Sequence, residues 1–321
     1  MKKRYLATIF IIILILGGCQ KSSDEFFSYD NYISTANSDL GIELSENEFY
    51  AKNLAILSED DSIARNDLIS SEAALLCDVT NNQAKYAKNP YERLYPASLT
   101  KLMTALVVLK QGELTDSVTV SYNASHITVS GAKVCGFEEG DVIIMDALLH
   151  CLLISSGNDA GIAIAEHMSK SEEEFVKLMN SQAKALGASH TNFANSHGLH
   201  DDNHYTTAYD MYLIFNELIQ YDSFISIISQ SSYTASFKDK DKNEKSLSFN
   251  STNQYLTDEK EAPENITIVG GKTGVTSKAG NCLIILSKDS KNTQYISIIL
   301  KAENIDLLYS DMSDILFLLK E

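Results

Sequence analysis

The sequence predicts an α/β (α+β) fold in which one antiparallel sheet is assembled from both ends of the chain, with a helical block inserted between them. Two short strand-like runs come early, "EAALLCD" (72–78) and "QAKYAKN" (83–89), joined as a hairpin would be. Three β-branched runs come late, "ITIVGGKTGV" (266–275), "NCLIILS" (281–287) and "YISIIL" (295–300), separated by short turns as in a meander. The apolar residues between them recur at helical spacing. A chain of 321 residues with 44% hydrophobic and 21% charged residues has the composition of a globular protein with a sizeable core.

The chain opens with a basic start (Lys2, Lys3, Arg4) and an apolar run from Tyr5 to Leu16, too short for a comfortable membrane span and suited to a secretory signal. It ends in Leu16-Gly17-Gly18-Cys19, which resembles the lipobox of bacterial lipoproteins, with the Cys19 thiol as the lipid-bearing group. A plain signal peptide or a single anchor helix is the alternative. Residues 1–18 are therefore expected to be a lipoprotein signal peptide, and residues 19–66, polar and acidic, a tether with a short ordered piece around "FYAKNLAIL". The folded domain is expected over 67–321, its helical block over about 113–230, with no β-rich domain after it.

Within that domain "PASLTKLMTALVVLK" (96–110) predicts a helix closed by Gly112. "IMDALLHCLLISS" (144–156) and "NDAGIAIAEHM" (158–168) predict two apolar helices broken at Gly157. "SEEEFVKLMNSQAKALG" (171–187) starts with a Ser171/Glu174 capping box and ends at glycine. "TAYDMYLIFNELIQ" (207–220) is amphipathic, residues 231–265 read as hairpin and loop, and a last amphipathic helix covers about 306–320.

The first of these helices is unusual. Eight of the eleven residues from Leu99 to Leu109 are apolar, so the helix is destined for burial, yet Ser98 opens it and Lys101 lies one turn on. Lysine is among the residues least often fully buried. A buried lysine loses its proton more readily, and a neutral amine beside a serine is a base that makes the hydroxyl nucleophilic. A nearby cation, for which Lys272 is the candidate, pushes the same way. The helix start supplies free N–H groups where an oxyanion would form.

The chain has three S-x-x-K pairs: Ser98/Lys101, Ser130/Lys133 and Ser181/Lys184. Only the first is followed in order by Ser156-Gly157-Asn158 at a helix junction and Lys272-Thr273-Gly274 on a strand. These elements are shared by serine β-lactamases and penicillin-binding proteins. Ser156 is placed to relay a proton to the leaving group, and Asn158 to orient Lys101 and hold a substrate carbonyl. Gly274 lets a peptide lie along the strand edge.

With "YPASLTKLMTALVVL", "LLISSGNDAGIAIAEH", "TNFANSHGLHDDNHYTTAYD" and "GGKTGVTSKAGNCLIIL", the chain from about residue 70 onward resembles the serine-type D-alanyl-D-alanine carboxypeptidases, the low-molecular-mass penicillin-binding proteins, here in a lipoprotein form. The resemblance implies a β-lactamase/transpeptidase-like fold, with a five-stranded antiparallel sheet. It implies attack by Ser98 on the terminal D-Ala-D-Ala bond of peptidoglycan stem peptides, with Lys101 as base and an acyl-enzyme intermediate. The oxyanion would sit between the N–H groups of Ser98 and Val275, with Lys272, Thr273 and Thr276 on the substrate carboxylate. β-Lactams would acylate Ser98, and the lipid on Cys19 would hold the enzyme on the outer face of the cell membrane. A serine β-lactamase on the same fold, or a weakly hydrolytic binder of penicillin or wall peptide, is the alternative. The β-lactamase pattern departs at Gly157, where those enzymes carry aspartate.

Many relatives place an arginine after the last strand to anchor the terminal carboxylate. Here no arginine follows Arg93, and Asp306 or Leu308 stands in its place. The formal charge of −17 excludes a nucleic-acid partner. No cofactor or metal is expected: His197, His200 and His204 lie in a loop-like run without metal-ligand spacing. Cys77, Cys135, Cys151 and Cys282 lie in or near apolar stretches and read as buried free thiols.

Overall fold

The structure, a computed structural model, describes residues 54–57 and 68–320. The expected signal peptide, Cys19 and most of the expected tether lie outside the described residues.

Five strands form the main sheet: β1 (Ala73–Asp78), β2 (Gln83–Lys88), β7 (Thr267–Thr276), β8 (Gly280–Lys288) and β9 (Gln294–Ala302). Their order is β2-β1-β9-β8-β7, antiparallel throughout, so the two chain ends meet where β1 pairs with β9. Leu75 lies opposite Ile298 in that pairing. The three central strands are covered on both faces, which is why they read as near-continuous apolar runs.

Alternate residues feed separate cores. Leu75, Cys77, Ile284, Ile298 and Leu300 face the helical block. Leu76, Leu283, Ile285 and Ile299 face α8 (Ile305–Phe317), which buries Tyr309, Met312, Ile315 and Leu316 against them. Asn304 caps α8 through its side chain, which accepts from Leu307 N at 2.9 Å.

The block begins with a 3₁₀ turn (Ala97–Leu99) leading into α1 (Thr100–Gln111), in which every residue from Thr100 to Val108 is buried. α2 (Tyr122–Ser125), α3 (Met145–His150), α4 (Asn158–Ser169), α5 (Glu172–Ala185), α6 (Ala208–Leu218) and α7 (Asp222–Ile228) follow. The Ser171 and Thr207 side chains cap α5 and α6.

The block is not purely helical. β3 (Ser117–Thr119) and β4 (Val142–Ile144) join the hairpin β5–β6 (Ser232–Lys238, Glu244–Asn250) in a second sheet of order β3-β4-β5-β6. The helix expected over 144–156 also ends early. α3 stops at His150, and Cys151–Ser155 form a π-helical turn that brings the chain to Ser156.

Part of the segment expected as tether is packed on the domain. Ala55 and Leu57 are buried. Ala55 N donates to Tyr212 Oη at 2.9 Å, and Tyr91 Oη donates to Leu57 O at 2.7 Å. All four cysteines among the described residues are buried and free.

Candidate active site

Ser98 sits inside the 3₁₀ turn, one residue after Ala97, whose φ is 48°. That left-handed residue is held from outside by Gly198, itself at φ +90°. A Cβ on Gly198 would lie 1.9 Å from Ala97 O, so only glycine allows this approach.

Lys101 is fully buried, and its Nζ makes three contacts. It lies 2.9 Å from Ser98 Oγ, 2.7 Å from Asn158 Oδ1 and 2.5 Å from His197 O. Burial pushes its pKa down to about 7. Among neighbouring charges Lys133 lowers it further, while Cys135 and Asp159 oppose the shift. Lys272, the expected helper, interacts with Lys101 as well. That lysine is itself fully buried and pushed well below the usual lysine range, by burial first and then by Lys101 and Lys133.

Ser156 ends the π turn in the left-handed conformation (φ 68°), which places its hydroxyl 2.9 Å from Lys272 Nζ. The adjoining Gly157 has no room for a side chain, since a Cβ there would lie 2.2 Å from Cys135 Sγ. Asp159 fixes the facing loop by accepting from Cys135 N at 2.8 Å and from Gly136 N at 2.9 Å. Asn158 N donates to Lys133 O at 2.8 Å, which completes the seam.

β7 is the edge strand of the main sheet and passes against the 3₁₀ turn. A Cβ on Gly274 would lie 2.9 Å from Ser98 N. This close approach puts the backbone around Val275, the second expected oxyanion donor, beside Ser98. Val275 itself is 66% exposed. Thr273 Oγ1 donates to Thr252 Oγ1 at 2.6 Å, and Thr276 Oγ1 accepts from Ala279 N at 3.0 Å.

Ser98, Ser156, Asn158, Thr273 and Thr276 line one cleft of about 290 Å³. Ile305 and Leu308 line it too. At the position expected to replace the family's arginine, Leu308 therefore borders the cleft, whereas Asp306 is exposed and pairs with Lys260 at 2.9 Å.

Sequence reasoning missed Thr252, Lys133 and the His197 carbonyl. The first two lie outside the three motifs, and the third is a backbone atom that any residue type supplies. The histidine run is a loop bordering the site. His204 Nε2 lies 2.7 Å from Thr100 Oγ1. Burial pushes His197 down to about 3 and His204 to about 4, so both are neutral at neutral pH.

Residues 60–304 match the family model of the D-alanyl-D-alanine carboxypeptidases. The chain belongs to this family. A D-alanyl-D-alanine carboxypeptidase of Bacillus subtilis (strain 168), DacF, is 34% identical over 239 residues, covering 72% of this chain and 57% of the relative. DacA of Haemophilus influenzae is 33% identical over 238 residues, with the same coverage of 72% and 57%. The chain thus spans a little over half the length of these carboxypeptidases. The solved DD-transpeptidase of Streptomyces K15 superposes with a TM-score of 0.72 at 25% identity, covering 78% of this chain and 97% of that one. Penicillin binding protein 5 from Haemophilus influenzae gives 0.67 at 31% identity, covering 78% and 70%.

Proposed function

We propose that the protein is a serine-type D-Ala-D-Ala carboxypeptidase that removes the terminal D-alanine from peptidoglycan stem peptides. The observation that carries this reading is the contact between Lys101 Nζ and Ser98 Oγ, made by a lysine whose pKa lies near 7. At neutral pH a large share of Lys101 is the free amine, able to take the Ser98 proton as Oγ attacks the carbonyl of the penultimate D-alanine. The oxyanion forms beside Ser98 N and the backbone at Val275. Ser156, in contact with Lys272, relays the proton that Lys101 took from Ser98 to the amine of the departing D-alanine, which returns Lys101 to the free amine. Asn158 keeps Lys101 in line through its Oδ1. Water then cleaves the ester and restores Ser98.

The peptide substrate lies along the free edge of β7 as an added strand, with its terminal carboxylate near Thr273 and Thr276. β-Lactams acylate Ser98 by the same route. Cys19 carries a lipid that holds the enzyme on the outer face of the cell membrane, downstream of a cleaved signal peptide.

The test is release of free D-alanine from a pentapeptide ending in D-Ala-D-Ala, with Ser98→Ala as control. Release by the intact protein and none by the variant is the expected result. A folded wild-type protein that forms a penicillin adduct yet releases no D-alanine would leave only the binding-protein alternative. Rapid turnover of penicillin would favour the β-lactamase reading.

A further inference from the structure

The cleft has a one-sided charge. Its lining includes Lys133 and no aspartate or glutamate, in a protein whose formal charge is −17. Lys101 and Lys272 lie buried just behind the same walls and bond to Ser98 and Ser156. Three amines thus surround one pocket. The two buried ones are poor permanent cations, because desolvation favours their neutral forms.

Lys133 shares the direction of that shift, since partial burial lowers its pKa too, but it differs from both in being exposed. It belongs to the second S-x-x-K pair, which takes no part in the chemistry derived above. Its residue is exposed at the rim, and its ammonium has no hydrogen-bond or ion-pair partner among the described residues. Its root is nonetheless fixed: Asn158 N holds its carbonyl, and Asp159 holds the amides of Cys135 and Gly136 just beyond it. The side chain therefore rises from a rigid seam beside the Ser156–Asn158 turn and lines the same cleft as Thr273 and Thr276, where the proposed reaction puts the departing residue. The wall at Ile305 and Leu308 is apolar and offers an anion nothing.

We propose that Lys133 is a specificity-determining residue whose ammonium pairs with the terminal carboxylate of the bound peptide, so that the enzyme selects chains with a free C-terminus. The inference rests on the carboxypeptidase reading and extends it. Lys133 supplies an exposed amine to a cleft whose other two amines, Lys101 and Lys272, are buried. Its field also disfavours protonation of Lys101 and Lys272 until the anion arrives.

The experiment compares the full chain with Lys133→Gln and Lys133→Arg on two peptides, one ending in free D-Ala-D-Ala and one with its C-terminal carboxylate capped as the amide. A charge-assisted contact predicts that wild type favours the acid by about ten- to a hundredfold in kcat/KM. Lys133→Gln is expected to erase that preference, chiefly through KM on the acid, with a smaller loss shared by both peptides reporting its effect on Lys101, and Lys133→Arg restoring most of the loss. Equal losses on acid and amide, or no loss on the acid, would overturn the role given to Lys133. Wild-type protein that releases D-alanine from neither peptide and takes up no penicillin would instead remove the carboxypeptidase reading.

Discussion

Lys101 Nζ lies 2.9 Å from Ser98 Oγ and 2.5 Å from the carbonyl of His197. The contact with a fixed carbonyl stabilises an N–H donor, so one hydrogen of the amine is directed away from the serine. The lone pair of the neutral form is then free to face Oγ.

In the proposed role Lys101 works as a base only without its proton, and burial sets its pKa at about 7. Below that value the amine is charged and Ser98 is not activated, so activity falls as pH drops through about 7 and levels off above it. The limb resembles a histidine titration. His197 and His204, pushed down to about 3 and 4, are already neutral there. The second-order rate of Ser98 acylation by penicillin, measured from pH 5 to pH 9, is expected to keep this limb in His204→Gln. Its disappearance in that variant would assign the limb to the imidazole.

Gly157 and Cys135 are a packing pair, since a Cβ at 157 would lie 2.2 Å from Sγ. Gly157→Ala is expected to destabilise the fold by about 1–3 kcal/mol through overpacking. It also moves Ser156 and Asn158, on either side. Shrinking the neighbour with Cys135→Gly in the same chain is expected to recover part of both losses. Denaturant midpoints and penicillin acylation rates for the two singles and the double variant check this, and strict additivity would mean that the two residues do not press on each other.

The main sheet and its flanking helices were legible because each central strand is an apolar run bounded by turn residues, and each long helix carries its own period and caps. What was not legible is local structure decided from a distance. β3 and β4 have three residues each, too few to show an alternation, and they exist because β5 and β6 extend the pairing. The π turn at Cys151–Ser155 continues an apolar helical pattern with no breaker until Gly157. Within the site, the Ser98/Lys101 pair follows from helical spacing alone. Its convergence with Ser156 and Lys272 depends on β7 lying against the 3₁₀ turn, which no spacing encodes. Lys133 as a second cation beside Lys272 escaped for the same reason: it lies in a loop, pinned there by Asp159 and Asn158.

Gly198 connects the histidine loop to Ser98, the proposed nucleophile. Its φ of +90° and the 1.9 Å separation of a Cβ from Ala97 O make any side chain there displace Ala97, the residue before Ser98. A misplacement of about 1 Å at a reacting group costs on the order of a hundredfold in rate. Gly198→Ala is therefore expected to lower penicillin acylation by about that factor, beyond any fall in melting temperature. A variant with wild-type acylation would show that the loop yields instead of the nucleophile turn.

Asp311 on α8 offers a contrast, because its contacts lie outside the cleft. Its carboxylate accepts from Ser71 N at 2.7 Å, Ser71 Oγ at 2.5 Å and Ser70 N at 3.2 Å, tying the segment before β1 to the last helix. Asp311 and Ser71 are buried, so Asp311→Ala leaves donors without partners away from water. Each such donor costs about 1–3 kcal/mol, and the solvent-facing part of Ser70 keeps the total near the lower end of their sum. The urea midpoint is expected to fall by an amount in that range, read at unchanged m-value. The acylation rate of the molecules that remain folded is expected to stay at the wild-type level. Ser98 and Lys101 are set by α1, Gly198 and Asn158, none of which leans on the Asp311 contacts. A drop in the per-molecule rate would show that the α8 end of the cleft, through Leu308, is coupled to the nucleophile.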